Sequence, residues 1–406
     1  MSILNELKSR GIFNNITSEE KFNKLSNGVG IYIGFDPTAE SLHLGNYIQI
    51  TILKRFKEAG FNPIAVLGGA TGMIGDPSGR SSERNLLDNS TLLNNKEKIR
   101  NQLESYGLTV VDNLDFYKDM NVLDFLREVG KHANVNHMIQ KEVVKSRLDA
   151  GISFTEFSYQ LIQGWDFKRL YDDKNVMIQV GGSDQWGNIT AGVELIRKTN
   201  GEDNLALGIT VNLLTTSTGA KFGKSAGNAV WIDRKMTSPF SLYQFMLNTT
   251  DEDVEKFLNW LTFLPKEKIE SIVSKHKEDP QARYGQKQLA FEVVKDVHSL
   301  DDANGAVKLT EVLFGSGDIT TLSAEQVLQF EGSVPTFQNL TGPIKDVLVS
   351  IGAASSNREV REFLSTSSVE VNGEKITDEN FEVTPGFDGK ATFIKRGKKK
   401  FFLIKY

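Results

Sequence analysis

Apolar residues fall at two different spacings along this chain, and the change from one to the other marks out its elements. Residues 29–33 form a nearly unbroken apolar run, the pattern of a strand buried on both faces, and 63–67 form a second. Between them Ile48, Ile52, Phe56 and Ala59 recur at helical spacing while Lys54, Arg55, Lys57 and Glu58 fill the opposite face, and Gly60 ends the segment. Strand, helix and strand in that order predict a parallel sheet, hence an α/β fold. Residues 1–28 read as a polar helical lead-in. Residues 123–129 and 138–148 read as amphipathic helices, 154–171 as a longer and more apolar one, and 176–180 as a further strand. From 237 to about 326 the pattern turns helical throughout, with Leu242, Phe245, Phe257, Leu258, Trp260 and Leu261, and later Val293, Val294 and Val297. A Gly-, Pro- and Ser-rich stretch reads as a linker, followed by two short helices, a strand and turn near 369–373, and a terminal hairpin.

Composition narrows the class. With 406 residues, 39% of them hydrophobic, the chain holds two or three packed domains. No apolar stretch approaches the ~18 residues of a membrane span and no charged-then-apolar leader is present, which predicts a cytoplasmic protein with no membrane partner. The absence of cysteine removes disulfides and thiolate zinc sites, and five scattered histidines predict no protein-bound metal. The net charge of −5 argues against a nucleic-acid partner until its distribution is considered. Residues 390–406 carry seven basic side chains and no acid, which leaves −12 on the rest of the chain. A basic hairpin next to a helix bearing Arg358 and Arg361 reads as a phosphate-backbone contact or as a solvated charge run.

Five stretches carry candidate chemistry. His43-Leu-Gly45-Asn46 opens the first helix, whose N-terminal N–H groups and dipole attract an anion, although the same residues also suit an ordinary cap. Gly68 to Arg80, GGATGMIGDPSGR, lets backbone amides crowd a ligand; its Gly69, Gly72 and Gly75 loosely match a dinucleotide loop. None of the nine tyrosines has a lysine four positions on, so a short-chain dehydrogenase is set aside. In the 154–171 helix Tyr159, Gln163 and Asp166 share one face, as a solvated stripe or as a pocket wall offering a phenol, an amide and a carboxylate. The loop GGSDQWGN places Asp184 and Gln185 at the end of a strand, and TTSTGAKFGKSAGN carries Lys221 and Lys224, which would neutralise a polyphosphate or merely sit in solvent.

Together, in this order, the blocks FDPTAESLHLG, GGATGMIGDPSG, GISFTEFSYQLIQG and GGSDQWGNITAG resemble bacterial-type tyrosyl-tRNA synthetases, class I aminoacyl-tRNA synthetases, over essentially the whole length. His43-Leu-Gly-Asn46 stands where that class has its HIGH signature and Lys221-Phe-Gly-Lys-Ser225 where it has KMSKS; Asn46 departs from the histidine of the pattern. The resemblance implies a Rossmann-like catalytic domain over 1–234, an all-helical anticodon-proximal domain over 235–326, a linker over 327–340, and an α+β RNA-binding domain over 341–406. It implies that L-tyrosine and ATP, brought with Mg²⁺, give tyrosyl-adenylate, and that the tyrosyl group passes to the terminal ribose of tRNA(Tyr).

Carried onto this chain, the resemblance places Tyr32 and Asp166 at the substrate phenol with Asn113 behind them. Asp76, Tyr159 and Gln163 fall at the amino group, and Gln185 near the carboxylate and α-phosphate. Gly34, Asp36, Thr38, His43, Gly45 and Asn46 would face ATP, with Gly182 and Asp184 around the adenylate ribose. Lys221, Lys224, Arg80 and Arg84 would hold the pyrophosphate in the transition state. Arg358, Arg361, Lys395, Arg396, Lys398, Lys399 and Lys400 would meet tRNA. The family is also homodimeric, with a subunit contact around 123–129. Tryptophan as the substrate is disfavoured by Tyr32 and Asp166, since an indole has no hydroxyl; an RNA-binding relative without catalysis is disfavoured by His43, Lys221, Lys224, Asp76 and Asp166 all being present.

Overall fold

The computed structural model describes residues 2–78, 87–145, 147–149, 151–225, 228–397 and 400–406. Its packing separates two compact units, Met1–Asp233 with Lys256–Phe263, and Arg234–Glu255 with Leu264–Tyr406.

The first unit is built on six strands: β1 (Phe13–Ile16), β2 (Gly30–Phe35), β3 (Asn62–Leu67), β4 (Thr109–Asp112), β5 (Val176–Gly182) and β6 (Leu207–Val211), in the order β1-β6-β5-β2-β3-β4. Strands β2 to β6 pair in parallel, as the strand–helix–strand pattern requires, while β1 lies antiparallel on the β6 edge. That edge strand is where a helical lead-in was expected. Phe13-Asn-Asn-Ile16 shows no buried face, since both asparagines are exposed, and it is held by backbone pairing to β6, which leaves no apolar pattern to read. The amphipathic stretch at 138–148 also divides, into Val135–Gln140 and Glu142–Lys145. Lys141 turns extended between them (ψ 135°), and its ammonium donates to the Gly187 carbonyl at 2.5 Å.

Three helices position the site. Leu44–Glu58 packs on β2 and β3, Phe154–Lys174 on β5, and Trp186–Asn200 on β5 and β6. The second of these starts at the Ser153 N-cap and ends at Asn175, whose left-handed backbone (φ 53°) suits asparagine at a helix C-terminus.

The division into units differs from the one the pattern suggests, for a physical reason centred on Arg55. This side chain is 1% exposed and lies on the first helix; its guanidinium binds Glu6 Oε1 at 2.8 Å, the Thr262 carbonyl at 2.6 Å and the Asn259 carbonyl at 3.4 Å, and it stacks on Phe263. Burial, and next Arg10 beside it, lower its pKa to about 10, so it stays charged at neutral pH and holds residues 256–263 to the first unit.

In the second unit the helices Pro239–Leu247, Lys266–Glu278, Tyr284–Val297 and Leu300–Phe314 are followed by a five-stranded sheet. Its strands run Glu374–Ile376, Val369–Val371, Ala391–Arg396, Lys400–Lys405 and Thr336–Gln338 across the sheet. The stretch 327–340 is not a linker. Phe330 is fully buried between Phe240 (5.4 Å) and Phe393 (5.0 Å), and Thr336–Gln338 pairs in parallel with Lys400–Lys405. Its Gly, Pro and Ser residues mark turns; Phe330 and Phe337 supply the packing. Among the described residues no helix is long and apolar enough to cross a membrane.

Candidate active site

Strands β2, β3 and β4 advance across the sheet one way and β5 and β6 the other, so the order reverses between β2 and β5. Open parallel sheets form a crevice at the carboxyl ends of such a strand pair. A cavity of about 370 Å³ lies there. It brings together Tyr32, Gly34, Asp36, Thr38, His43 and Asn46 from β2, the loop after it and the helix that follows; Asp76 and Asn113 from beyond β3 and β4; Tyr159, Gln163 and Asp166 from the Phe154–Lys174 helix; and Gly182, Asp184 and Gln185 from the end of β5 and the turn after it. Thr71 and Gln179, which the sequence did not single out, also line it; the Gln179 Oε1 is buried with no hydrogen-bond partner.

At the deep end Asp166 is 3% exposed. Its Oδ2 accepts from Asn113 Nδ2 at 2.9 Å and its Oδ1 from the Tyr117 hydroxyl at 2.8 Å. Burial is the largest influence and pushes its pKa up to about 7, against the pull of those two hydrogen bonds. Tyr32 faces the same space with its hydroxyl buried and unpartnered, and burial followed by the Asp166 charge holds its pKa well above the usual phenol value. A buried donor beside a buried carboxylate, both at a cavity wall, is an arrangement completed by one small hydroxyl that donates to Asp166 and accepts from Tyr32.

Above this end the polar side chains hold one another. Asp36 accepts from Thr71 Oγ1 at 2.8 Å and from the Tyr159 hydroxyl at 3.2 Å. Asp76 accepts from Gln185 Nε2 at 2.6 Å and from the Ser78 N–H at 2.8 Å, and Gln163 Nε2 donates to Gln185 Oε1 at 3.3 Å. Asn188 Nδ2 joins the same group, 3.2 Å from Gln185 Oε1. Burial, and then the nearby Asp76 charge, raise the Asp184 pKa; Lys221 works against both.

The Leu44–Glu58 helix begins with a reciprocal cap. His43 Nδ1 accepts from the Asn46 N–H and Asn46 Oδ1 accepts from the His43 N–H. The Leu44 N–H is used by the Val230 carbonyl. The terminus therefore has fewer amides to offer an anion than a bare helix end, and what Asn46 can present to the cavity is its Nδ2 donor. Gly45 sits behind His43, where a Cβ would fall 2.8 Å from the imidazole. Against it lies Gly223 (φ 90°), close enough that a Cβ there would come within 2.7 Å of the Gly45 nitrogen. This backbone-to-backbone approach brings the Lys221–Ser225 segment to the helix start, with Phe222 anchored edge-on to Phe257. Lys221 is exposed and does not line the cavity, and the side chain of Lys224 lies outside the described residues. Arg80 and Arg84 lie outside the described residues.

Residues 24–315 match the family described as "tRNA synthetases class I (W and Y)", and residues 326–404 match "Tyrosine--tRNA ligase SYY-like C-terminal domain". The chain belongs to the tyrosine–tRNA ligase family. The tyrosine–tRNA ligases of Ureaplasma urealyticum and Mycoplasmopsis pulmonis are 50% and 49% identical to it, each over 99% of this chain and 98% of the relative. A C-terminally truncated Aspergillus nidulans mitochondrial tyrosyl-tRNA synthetase superposes at a TM-score of 0.70 with 32% identity, over 77% of this chain and 94% of that one. The Archaeoglobus fulgidus tyrosyl-tRNA synthetase, at 17% identity and a TM-score of 0.54, shares the fold. The activity of this family is tRNA aminoacylation, and the protein is an aminoacyl-tRNA ligase that uses ATP.

The basic residues of the ligase's Asn357–Ser365 helix and C-terminal sheet are differently engaged. Arg358 and Lys400 are exposed; Arg361 and Lys395 pair with Glu379 (3.0 Å) and Glu370 (3.3 Å); Arg396 stacks on Phe363 at 4.6 Å. Lys398 and Lys399 lie outside the described residues.

Proposed function

We propose that the cavity holds L-tyrosine with its phenol between Tyr32 and Asp166, and ATP across the mouth beside His43. The observation that carries this reading is the unpartnered Tyr32 hydroxyl facing buried Asp166. Phenylalanine would leave both groups unpaired, which disfavours its binding. Asp76, Tyr159 and Gln163 take the amino group, and Gln185, bonded to Asp76, lies toward the carboxylate. Asp36, Thr38, His43 and Asn46 contact ATP, with Gly34 and Gly45 leaving room at the backbone, and Gly182 and Asp184 receive the ribose. The tyrosine carboxylate attacks the α-phosphate and pyrophosphate departs with the electrons of the broken P–O bond. A terminal ribose hydroxyl of tRNA(Tyr) then attacks the tyrosyl carbonyl, AMP departs with the electrons of the broken acyl C–O bond, and the hydroxyl proton passes to the departing phosphate. Such a displacement asks for alignment and neutralised phosphate charge more than for proton transfer. Lys221, Lys224, Arg80 and Arg84 supply the positive charge, and Mg²⁺ arrives on the triphosphate.

Residues 341–406 serve as the RNA-binding domain, with Arg358, Arg361 and the basic hairpin at Lys395, Arg396, Lys398, Lys399 and Lys400 meeting phosphates of tRNA. The protein works as a homodimer in the cytoplasm, where tRNA is charged. In support of the dimer, the Val122–Glu128 helix buries none of its residues and leaves Val122, Leu123 and Leu126 half or more exposed.

Amino-acid-dependent exchange of pyrophosphate into ATP tests the pocket. Tyrosine is expected to support exchange and phenylalanine and tryptophan are not; exchange with tryptophan would overturn the assignment of Tyr32 and Asp166.

A further inference from the structure

Asp166 is gripped from both sides by one short turn. The 3-10 turn Asn113–Phe116 follows β4, with Asn113 at its start and Tyr117 just past its end. Asn113 Nδ2 donates to Oδ2 of the carboxylate and the Tyr117 hydroxyl donates to Oδ1, at 2.9 and 2.8 Å. The Tyr117 hydroxyl also lies 2.8 Å from the carbonyl of Ile162, one turn earlier on the helix that carries Asp166. A phenol has one proton, and here it has two acceptors. With Asp166 ionised the proton goes to the stronger acceptor, the carboxylate; with Asp166 protonated the carboxyl donates to Tyr117 and Tyr117 donates to Ile162. The phenol thus registers the charge state of the group that faces the substrate, from a position behind it.

We propose that Tyr117 is a specificity-determining positioning residue: with Asn113 it clamps both Asp166 oxygens and favours the ionised, accepting form of the carboxylate, so that discrimination between tyrosine and phenylalanine depends on the Tyr117 hydroxyl. This rests on the reading that Asp166 receives the substrate phenol. An ionised carboxylate left facing a phenyl ring is costly, whereas a neutral carboxyl in the same place is tolerated far better. Two charges near Asp166 favour the neutral form: Asp36 beyond β2 and Asp112 at the end of β4 both raise its pKa, in the same direction as burial. Tyr32 faces it from β2, and Arg169, on its own helix, lies toward Tyr117. The hydrogen bonds from Asn113 and Tyr117 lower the Asp166 pKa. Without the Tyr117 hydroxyl one of these two is gone, the neutral form gains, and both acceptance of tyrosine and rejection of phenylalanine weaken.

The test is pyrophosphate exchange by full-length Tyr117→Phe with tyrosine and with phenylalanine, from about pH 5.5 to 8.5. The tyrosine KM is expected to rise on the order of tenfold with kcat within about twofold. The ratio of kcat/KM for tyrosine to that for phenylalanine falls by a similar factor, and the acid limb of the tyrosine profile moves to higher pH. An unchanged ratio and acid limb, or a loss confined to kcat, would overturn the proposal. The ratio does not depend on the fraction of folded enzyme, so a less stable variant still decides it. Asp166→Asn separates the two readings. Parent-like use of tyrosine by Asp166→Asn refutes the pocket itself; loss in Asp166→Asn with parent behaviour in Tyr117→Phe refutes only the role of Tyr117.

Discussion

Near pH 7 Asp166 is close to half protonated, because burial, which raises its pKa to about 7, outweighs the two hydrogen bonds that lower it. A carboxyl in the unfolded chain titrates near ~3.9. The folded state therefore binds more protons between about pH 4 and 7, and the stability this group contributes is present at low pH and lost as pH rises through 7. A tyrosine phenol that donates to Asp166 favours the ionised form, so binding expels a proton. Calorimetry at about pH 6.5 in two buffers of different ionisation enthalpy is expected to show an apparent binding enthalpy that tracks the buffer with proton release; identical enthalpies would show that Asp166 does not change charge on binding. At this scale the sequence was partly legible. Tyr159, Gln163 and Asp166 stood out as a stripe on one helical face. Tyr117 did not, because its partner is 49 residues further along and nothing in the local pattern of a 3-10 turn announces a tertiary hydrogen bond.

Among the elements, those with a strong period were readable: β2, the Leu44–Glu58 helix and the long Phe154–Lys174 helix fall where apolar spacing places them. What escaped were pieces held by backbone geometry, namely edge strand β1, the break at Lys141, and Thr336–Gln338 in the supposed linker. The start of the Leu44–Glu58 helix belongs to this second kind. Its reciprocal cap follows from residues three apart, but the approach of Gly223 to Gly45 depends on two glycines 178 positions distant in the chain. Gly223→Ala would meet both a left-handed backbone and a Cβ contact of 2.7 Å, so the Lys221 segment must move off the helix. With the proposed role of that segment at the departing pyrophosphate, kcat for exchange is expected to fall on the order of tenfold or more while tyrosine KM stays within about twofold. A raised tyrosine KM with unchanged kcat would show that the glycine pair instead shapes the amino-acid pocket.

At the level of the whole molecule, the cavity, the Val122–Glu128 helix and the Arg55 clamp all belong to the first unit, and the basic hairpin to the second. A chain ending at residue 340 is therefore expected to keep tyrosine-dependent exchange and to sediment as a dimer. It should lose about tenfold or more in tRNA charging, increasingly so at low salt, where phosphate contacts count most. Equal charging by the shortened protein would refute the RNA-binding role of 341–406, and a monomer in both forms would refute the dimer. Such a cut also removes Phe393 from the buried Phe330 ring, so the helices of the second unit should melt earlier than in the full chain.

The order of strands across the first sheet also has a consequence for synthesis. Tyr32, Asp36 and Asp76 are made early, Asp166 and Gln185 more than 80 residues later, and the carbonyls of Asn259 and Thr262 that receive Arg55 later still. When roughly the first hundred residues have left the ribosome, β2 and β3 exist but no cavity does. Free tyrosine, however abundant in the cell, has nothing to bind on such a nascent chain, and it can lend stability to its own activating enzyme only after the chain has doubled back to lay β5 beside β2.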